Sequence, residues 1–192
     1  MTDDIKRNFL GIPIIGTPQA GSTRVDQYSR EDFENIVFRV LNNEFFHDFG
    51  WTQYTPYFND GDPCEFGTSG FWIRTVEDLK LKTTVSVEGD GDEEEADQDL
   101  FEDRYDLHSY GDGHPTLGKL EYPDGYWVDG YGSERKLGTY VGDHGAEFRL
   151  AKELEMAIEG GHFENVLLDL FGDHCRVKVT RTGITIDEYS HD

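Results

Sequence analysis

A chain of 192 residues with 14% aromatic side chains is long enough to bury a sizeable core and too aromatic for wholesale disorder. Forty Asp and Glu against 17 Lys and Arg leave a net charge of −23, which repels nucleic acid and anionic membranes and attracts cations and basic protein surfaces. Two cysteines do not make a disulfide scaffold, and no apolar run approaches the roughly 18 residues of a membrane span, so the expectation is a cytoplasmic protein with reduced thiols.

Residues 1–22 read as an entry segment with one extended piece, Phe9 to Ile15. Their resemblance to a signal peptide is faint, because Asp3 and Asp4 precede the basic pair and Gly11 and Pro13 break the apolar stretch. Ser29 is a good N-cap, with Glu31 and Asp32 in the first turn of a helix. Phe33, Ile36, Val37, Val40 and Leu41 recur at helical spacing, with Glu44 and Phe45 as a continuation. The pattern predicts a helix that stops near Phe49-Gly50.

Residues 51–88 read as strands. Trp51 to Phe58 is one, with Pro56 placing it at an edge or bulge. The turn chemistry of Asn59-Asp60-Gly61-Asp62-Pro63 then returns the chain through Cys64-Glu65-Phe66 as a hairpin. Val76 to Leu81 fits a strand or one helical turn, and Thr83 to Glu88 alternates as a strand. Residues 88–106 carry eleven acids against Arg104 and read as a mobile acidic loop that turns helical towards Leu100 and Phe101. Residues 107–145 hold Asp-Gly three times between aromatic residues, a meander of short strands.

Two apolar stripes follow. Phe148, Leu150, Ala151, Leu154 and Ile158 end at Gly160-Gly161, and Phe163, Val166, Leu167, Leu170 and Phe171 form a second helix. A C-terminal hairpin joins Cys175–Thr180 to Ile184–Tyr189 through Arg181-Thr182-Gly183. The predicted fold is an α+β single domain over residues 1–192. A central antiparallel sheet or meander has helices near both ends and the C-terminal β-hairpin.

Chemistry-bearing patterns are sparse. Cys64 lies between Asp62 and Glu65, which disfavour a thiolate nucleophile. Neither Asp60 nor Asp90 opens an EF-hand loop, because the Gly and Glu positions fail. His108, His114 and His174 are the best zinc candidates but lack a paired-ligand motif. Asp60, Asp62, Asp112 and His114 are the residues for a carboxylate and metal-dependent hydrolase, the alternative enzymatic reading. No resident cofactor is expected beyond a loosely bound divalent cation. No Gly-x-Ser-x-Gly elbow or phosphate-binding Gly loop occurs.

The leading expectation is a non-catalytic acidic binding protein that docks on a basic protein surface, with a phage-type inhibitor or DNA mimic as its sharpest form. Asp90, Asp92, Glu93, Glu94, Glu95, Asp97 and Asp99 would imitate a phosphate track, and Tyr126 and Trp127 would anchor the contact. The partner would be a basic, nucleic-acid-binding protein; neither nucleic acid nor membrane would be bound directly. A structural or virion-associated role for the Tyr-rich sheet is a further alternative, and a high-salt cytoplasm is a reading of the charge that implies no partner. The runs WTQYTPYFNDGDPC and FGDHCRVKVTRTGITIDEY resemble segments of small uncharacterised acidic phage and bacterial proteins. That resemblance carries no assigned activity and no catalytic residue.

Overall fold

Helix α1 (Arg30–Asn42) begins where Ser29 can cap it. In this computed structural model, residues 8–9, 12–13, 25–57, 61, 64–81, 105–107, 113–122 and 138–189 are described. The Ser29 hydroxyl accepts from the Asp32 N–H, and the Asp32 carboxylate accepts from the Ser29 N–H, closing a capping box. Phe33 and Val40 are buried on the inner face, with Ile36, Val37 and Leu41 packed beside them.

The helix ends at Asn42 rather than near Phe49-Gly50, as the apolar spacing predicts. Arg181, far along the chain, donates to the carbonyls of Leu41, Asn43 and Phe46 and so closes the helix end. Glu44 and Phe45, the expected continuation of the helical stripe, lie instead in a turn that leads into a strand, β3 (Phe46–Tyr54). Gly50 is therefore a strand glycine and not a helix exit. A Cβ there would lie 2.5 Å from the Val177 carbonyl oxygen and 2.7 Å from the Trp72 ring.

β3 lies inside the sheet rather than at its edge, because Pro56 falls beyond its end. The preceding short strands β1 (Asn8–Phe9) and β2 (Ile12–Pro13) pair with each other, so the expected single extended piece folds back on itself. The main sheet has the order β4–β3–β7–β8, formed with β4 (Gly67–Thr75), β7 (Cys175–Thr180) and β8 (Gly183–Glu188), and all its pairs are antiparallel. β3 and β4 pair as a hairpin with Tyr54 opposite Gly67, but Cys64, Glu65 and Phe66 lie in the connection and not in the returning strand. Residues 78–80 form a 3-10 turn, the helical alternative for that stretch. The expected strand at residues 83–88 lies outside the described residues. The meander is represented by β5 (Lys119–Glu121) paired with β6 (Thr139–Val141).

Helices α2 (Gly145–Glu159) and α3 (Glu164–Phe171) match the two apolar stripes. With α1 they cover one face of the sheet. Phe148, Leu154, Ile158 and Leu167 join Phe49, Trp51, Ile73, Val177 and Val179 in one buried cluster. Alternation along β3 sends Asp48, Gly50 and Thr52 to the opposite face. The described elements thus make one α+β domain, with the C-terminal β7–β8 hairpin at one side of the sheet.

Candidate interaction surface

Most residues singled out from the sequence lie outside the described residues. These are Asp60, Asp62, His108 and Asp112, the acidic series Asp90, Asp92, Glu93, Glu94, Glu95, Asp97 and Asp99, and the aromatic pair Tyr126 and Trp127. His114 is described, and it is buried. Its Nδ1 accepts from the N–H groups of Thr116 (3.3 Å) and Leu117 (3.1 Å), and its Nε2 lies 2.7 Å from the Ile73 carbonyl oxygen. This set fixes the neutral tautomer with the proton on Nε2. Both ring nitrogens therefore hold protein partners, and a metal at His114 would have to displace one of them. Among the described residues, no group of three or more His, Cys, Asp and Glu side chains is placed to hold a metal ion.

Burial pushes the His114 pKa down; the Ile73 bond and the charges of Asp78 and Asp106 oppose it without reversing it. The unfolded chain then binds a proton that the folded chain refuses. Stability is full above the unfolded value of about 6.5 and falls as pH drops below it towards the lowered folded value. His114→Phe is expected to cost roughly 1–3 kcal/mol by leaving the Ile73 carbonyl and two N–H groups without partners. The same variant is expected to flatten the stability slope just below pH ~6.5. Urea titrations at several pH values check both.

His114 belongs to a larger arrangement. Along the outer edge of β4, backbone groups are plugged one after another. Glu159 accepts from the Phe71 N–H (2.8 Å), and the Tyr105 carbonyl accepts from the Ile73 N–H (3.1 Å). His114 donates to the Ile73 carbonyl, and Asp78 accepts from the Thr75 N–H (2.6 Å). This is how a sheet edge is closed to further strands.

The face of the sheet away from the helices is polar. Arg74 makes a bidentate pair with Asp48, and Lys178 Nζ lies 3.6 Å from the same carboxylate. The Arg74 guanidinium also lies over the Trp72 ring, 5.4 Å from its centroid. Burial alone would raise the Asp48 pKa, but the bonds and charge of Arg74, with a smaller share from His47, hold it below the usual carboxylate range.

An aromatic corner stands at one end of β3. Tyr57 stacks on His174 at 4.7 Å, and Tyr54 lies between His174 and Tyr189. His174 has a positive φ of 56°, and Asp173 stabilises this turn by accepting from the N–H groups of His174 and Thr55. Cys64 is exposed and Cys175 is buried, and neither forms a disulfide. Burial, with Asp173 nearby, pushes the Cys175 thiol pKa up, away from nucleophilic use. On the helical side, a shallow groove of about 610 Å³ runs between α1 and α2, crossed by the Arg39–Glu153 ion pair.

Among the described residues, the β7–β8 hairpin is where the sheet stays open. Every residue of β8 is exposed, including Ile184 and Ile186. Their alternation was readable in the sequence, but their exposure was not. Among the described residues, no helix is long and apolar enough to cross a membrane. No family model, curated protein or solved structure matches the chain.

Proposed function

We propose that this chain is an acidic binding protein that docks on a basic protein surface, in its sharpest form as an inhibitor or DNA mimic acting on a nucleic-acid-binding protein. The observation that carries the reading is the charge of −23. The way acids are used in the described part supports it. The few buried acids are engaged internally: Asp48 with Arg74 and Lys178, Asp78 with Thr75, and Glu155 with Lys152. The remaining described acids are exposed or half-exposed, as Glu31, Glu34, Glu44, Glu77, Glu121, Asp143 and Asp187 illustrate. Such a field steers a cationic partner to the surface and falls off with salt.

The test is affinity capture from host lysate at low and moderate salt. The intact protein is compared with a variant in which residues 88–99 are replaced by a neutral Gly/Ser linker. The expected result is a basic partner that is lost with salt, weakened with the linker and displaced by duplex DNA. Absence of any salt-sensitive partner for both proteins would sink the reading.

A further inference from the structure

We propose that the outer edge of β8 is a docking strand, which takes an extended segment of the partner as a fifth strand of the sheet, and that this segment alternates apolar side chains with lysine or arginine. The proposal rests on the reading of the chain as an acidic binding protein and names how that binding is made.

The backbone supplies the first argument. The Tyr189 N–H donates to the His174 carbonyl at 2.9 Å, and the pairs Arg176↔Asp187, Lys178↔Thr185 and Thr180↔Gly183 continue the same register. In an antiparallel ladder this phase turns the odd-numbered residues of β8 towards β7. The N–H and C=O groups of Ile184, Ile186 and Glu188 then point away from the sheet. Among the described residues, no strand pairs with that side.

The contrast between the two edges is the second argument. At β4 the outward groups of Phe71, Ile73 and Thr75 are met by Glu159, Tyr105, His114 and Asp78. Among the described residues, β8 has no such plugs, and its charges are confined to Asp187 and Glu188 at its end, since Gly183–Glu188 contains no lysine, arginine or proline. Arg181, in the turn before it, is turned back onto the carbonyls of Leu41, Asn43 and Phe46, and Arg176 and Lys178 lie on the β7 side, opposite Asp187 and Thr185.

The side chains set the chemistry of the occupant. Ile184 stands opposite Val179 and Ile186 opposite Val177, so both continue the buried apolar row, yet they stay 52% and 50% exposed. An added strand would cover them with its own apolar side chains. Asp187 and Glu188 close the strand, and a base on the added segment would lie beside them. The same charge argues against a second copy as occupant, because two chains of −23 repel each other. An extended basic segment meets both requirements by strand addition.

The experiment uses the full chain and a short peptide that alternates valine with lysine. Its control has proline in place of alternate valines, with the same charge but no capacity to complete a ladder. The expected result is salt-sensitive binding of the alternating peptide and about tenfold weaker binding of the control. The Ile184, Ile186 and Glu188 amides should exchange about tenfold more slowly in the complex, read residue by residue by NMR. Ile186→Pro removes one outward donor while sparing the β7 ladder, and should lose binding about tenfold. A second variant, Ile184→Lys with Ile186→Lys, keeps the backbone and repels a basic strand, and should lose binding likewise. Equal binding of both peptides, unchanged by either variant, would overturn the docking strand while leaving the acidic-binding reading intact. Failure of the alternating peptide to bind would overturn it as well, whereas the reading itself is decided by the capture experiment. A free protein that sediments as a dimer with its β8 amides already protected would make β8 a self-interface and also overturn the proposal.

Discussion

Asp48→Ala is expected to destabilise the protein by about 3–5 kcal/mol, because it leaves the Arg74 guanidinium buried without its counter-charge. The pair is almost fully out of water: Asp48 is 1% exposed and Arg74 6%. It sits on facing residues of β3 and β4, where the register already shifts next to Asp48. Arg74 cannot swing to solvent without leaving the Trp72 ring. Removing both partners together tests that reasoning. Asp48→Ala with Arg74→Met should be less damaging than the single change, since the uncompensated charge is gone and the methionine fills part of the space. The pH dependence has a definite sign. The folded Asp48 pKa is depressed, so its contribution is complete above the unfolded value of about 3.9 and is lost as pH falls through the lower folded value. The wild type should therefore weaken in strong acid, and Asp48→Asn should remove that part of the slope. Urea midpoints at neutral and acid pH decide it.

The elements that could be read from the sequence are those whose cause is local. Ser29 and Asp32, three positions apart, close a capping box, and Arg181-Thr182 sits between two alternating strands. Phe148 to Ile158 and Phe163 to Phe171 repeat at helical spacing and are stopped by glycine. The errors fall where a distant residue decides. Glu44 and Phe45 extend the spacing of the α1 stripe towards Phe49-Gly50, and only pairing with β4 and β7 makes the stretch from Phe46 onward a strand. Arg181, which closes the helix, comes from the other end of the chain.

The candidate surface follows the same division. The alternation of Ile184 and Ile186 says that they share a face, but a period does not say what covers that face. The helical layer reaches Val177 and Val179 and leaves the next strand bare. His114 stands among glycines and reads as a loop histidine. Its work as an edge plug depends on Ile73, 41 residues earlier in the chain.

Trp51→Ala is the second large effect, about 3–5 kcal/mol. Trp51 is 1% exposed and stands between sheet and helices. Its ring lies edge-on to Phe171 of α3 at 5.2 Å and stacks near Phe49 at 6.4 Å. Truncation empties the space between β3 and α3, and the backbone around Gly50 has no room to collapse into it from the other face. A polar relay is lost at the same time. Trp51 Nε1 donates to Gln53 Oε1 at 2.8 Å, and Gln53 Nε2 donates to the carbonyl of Leu167 within α3 and to that of Gly172, its C-cap. Trp51→Phe separates the two contributions. It keeps most of the ring and removes the donor, so it should cost only about 1–3 kcal/mol, the range for an orphaned buried acceptor. If both variants lose the same stability, the hydrogen bond and not the packing holds α3 to the sheet. If Trp51→Phe is nearly neutral, the cavity dominates. In that case Gln53→Leu, which leaves the Leu167 and Gly172 carbonyls without their donor, should be the more damaging of the two conservative changes. Thermal and urea unfolding followed by circular dichroism measures all three.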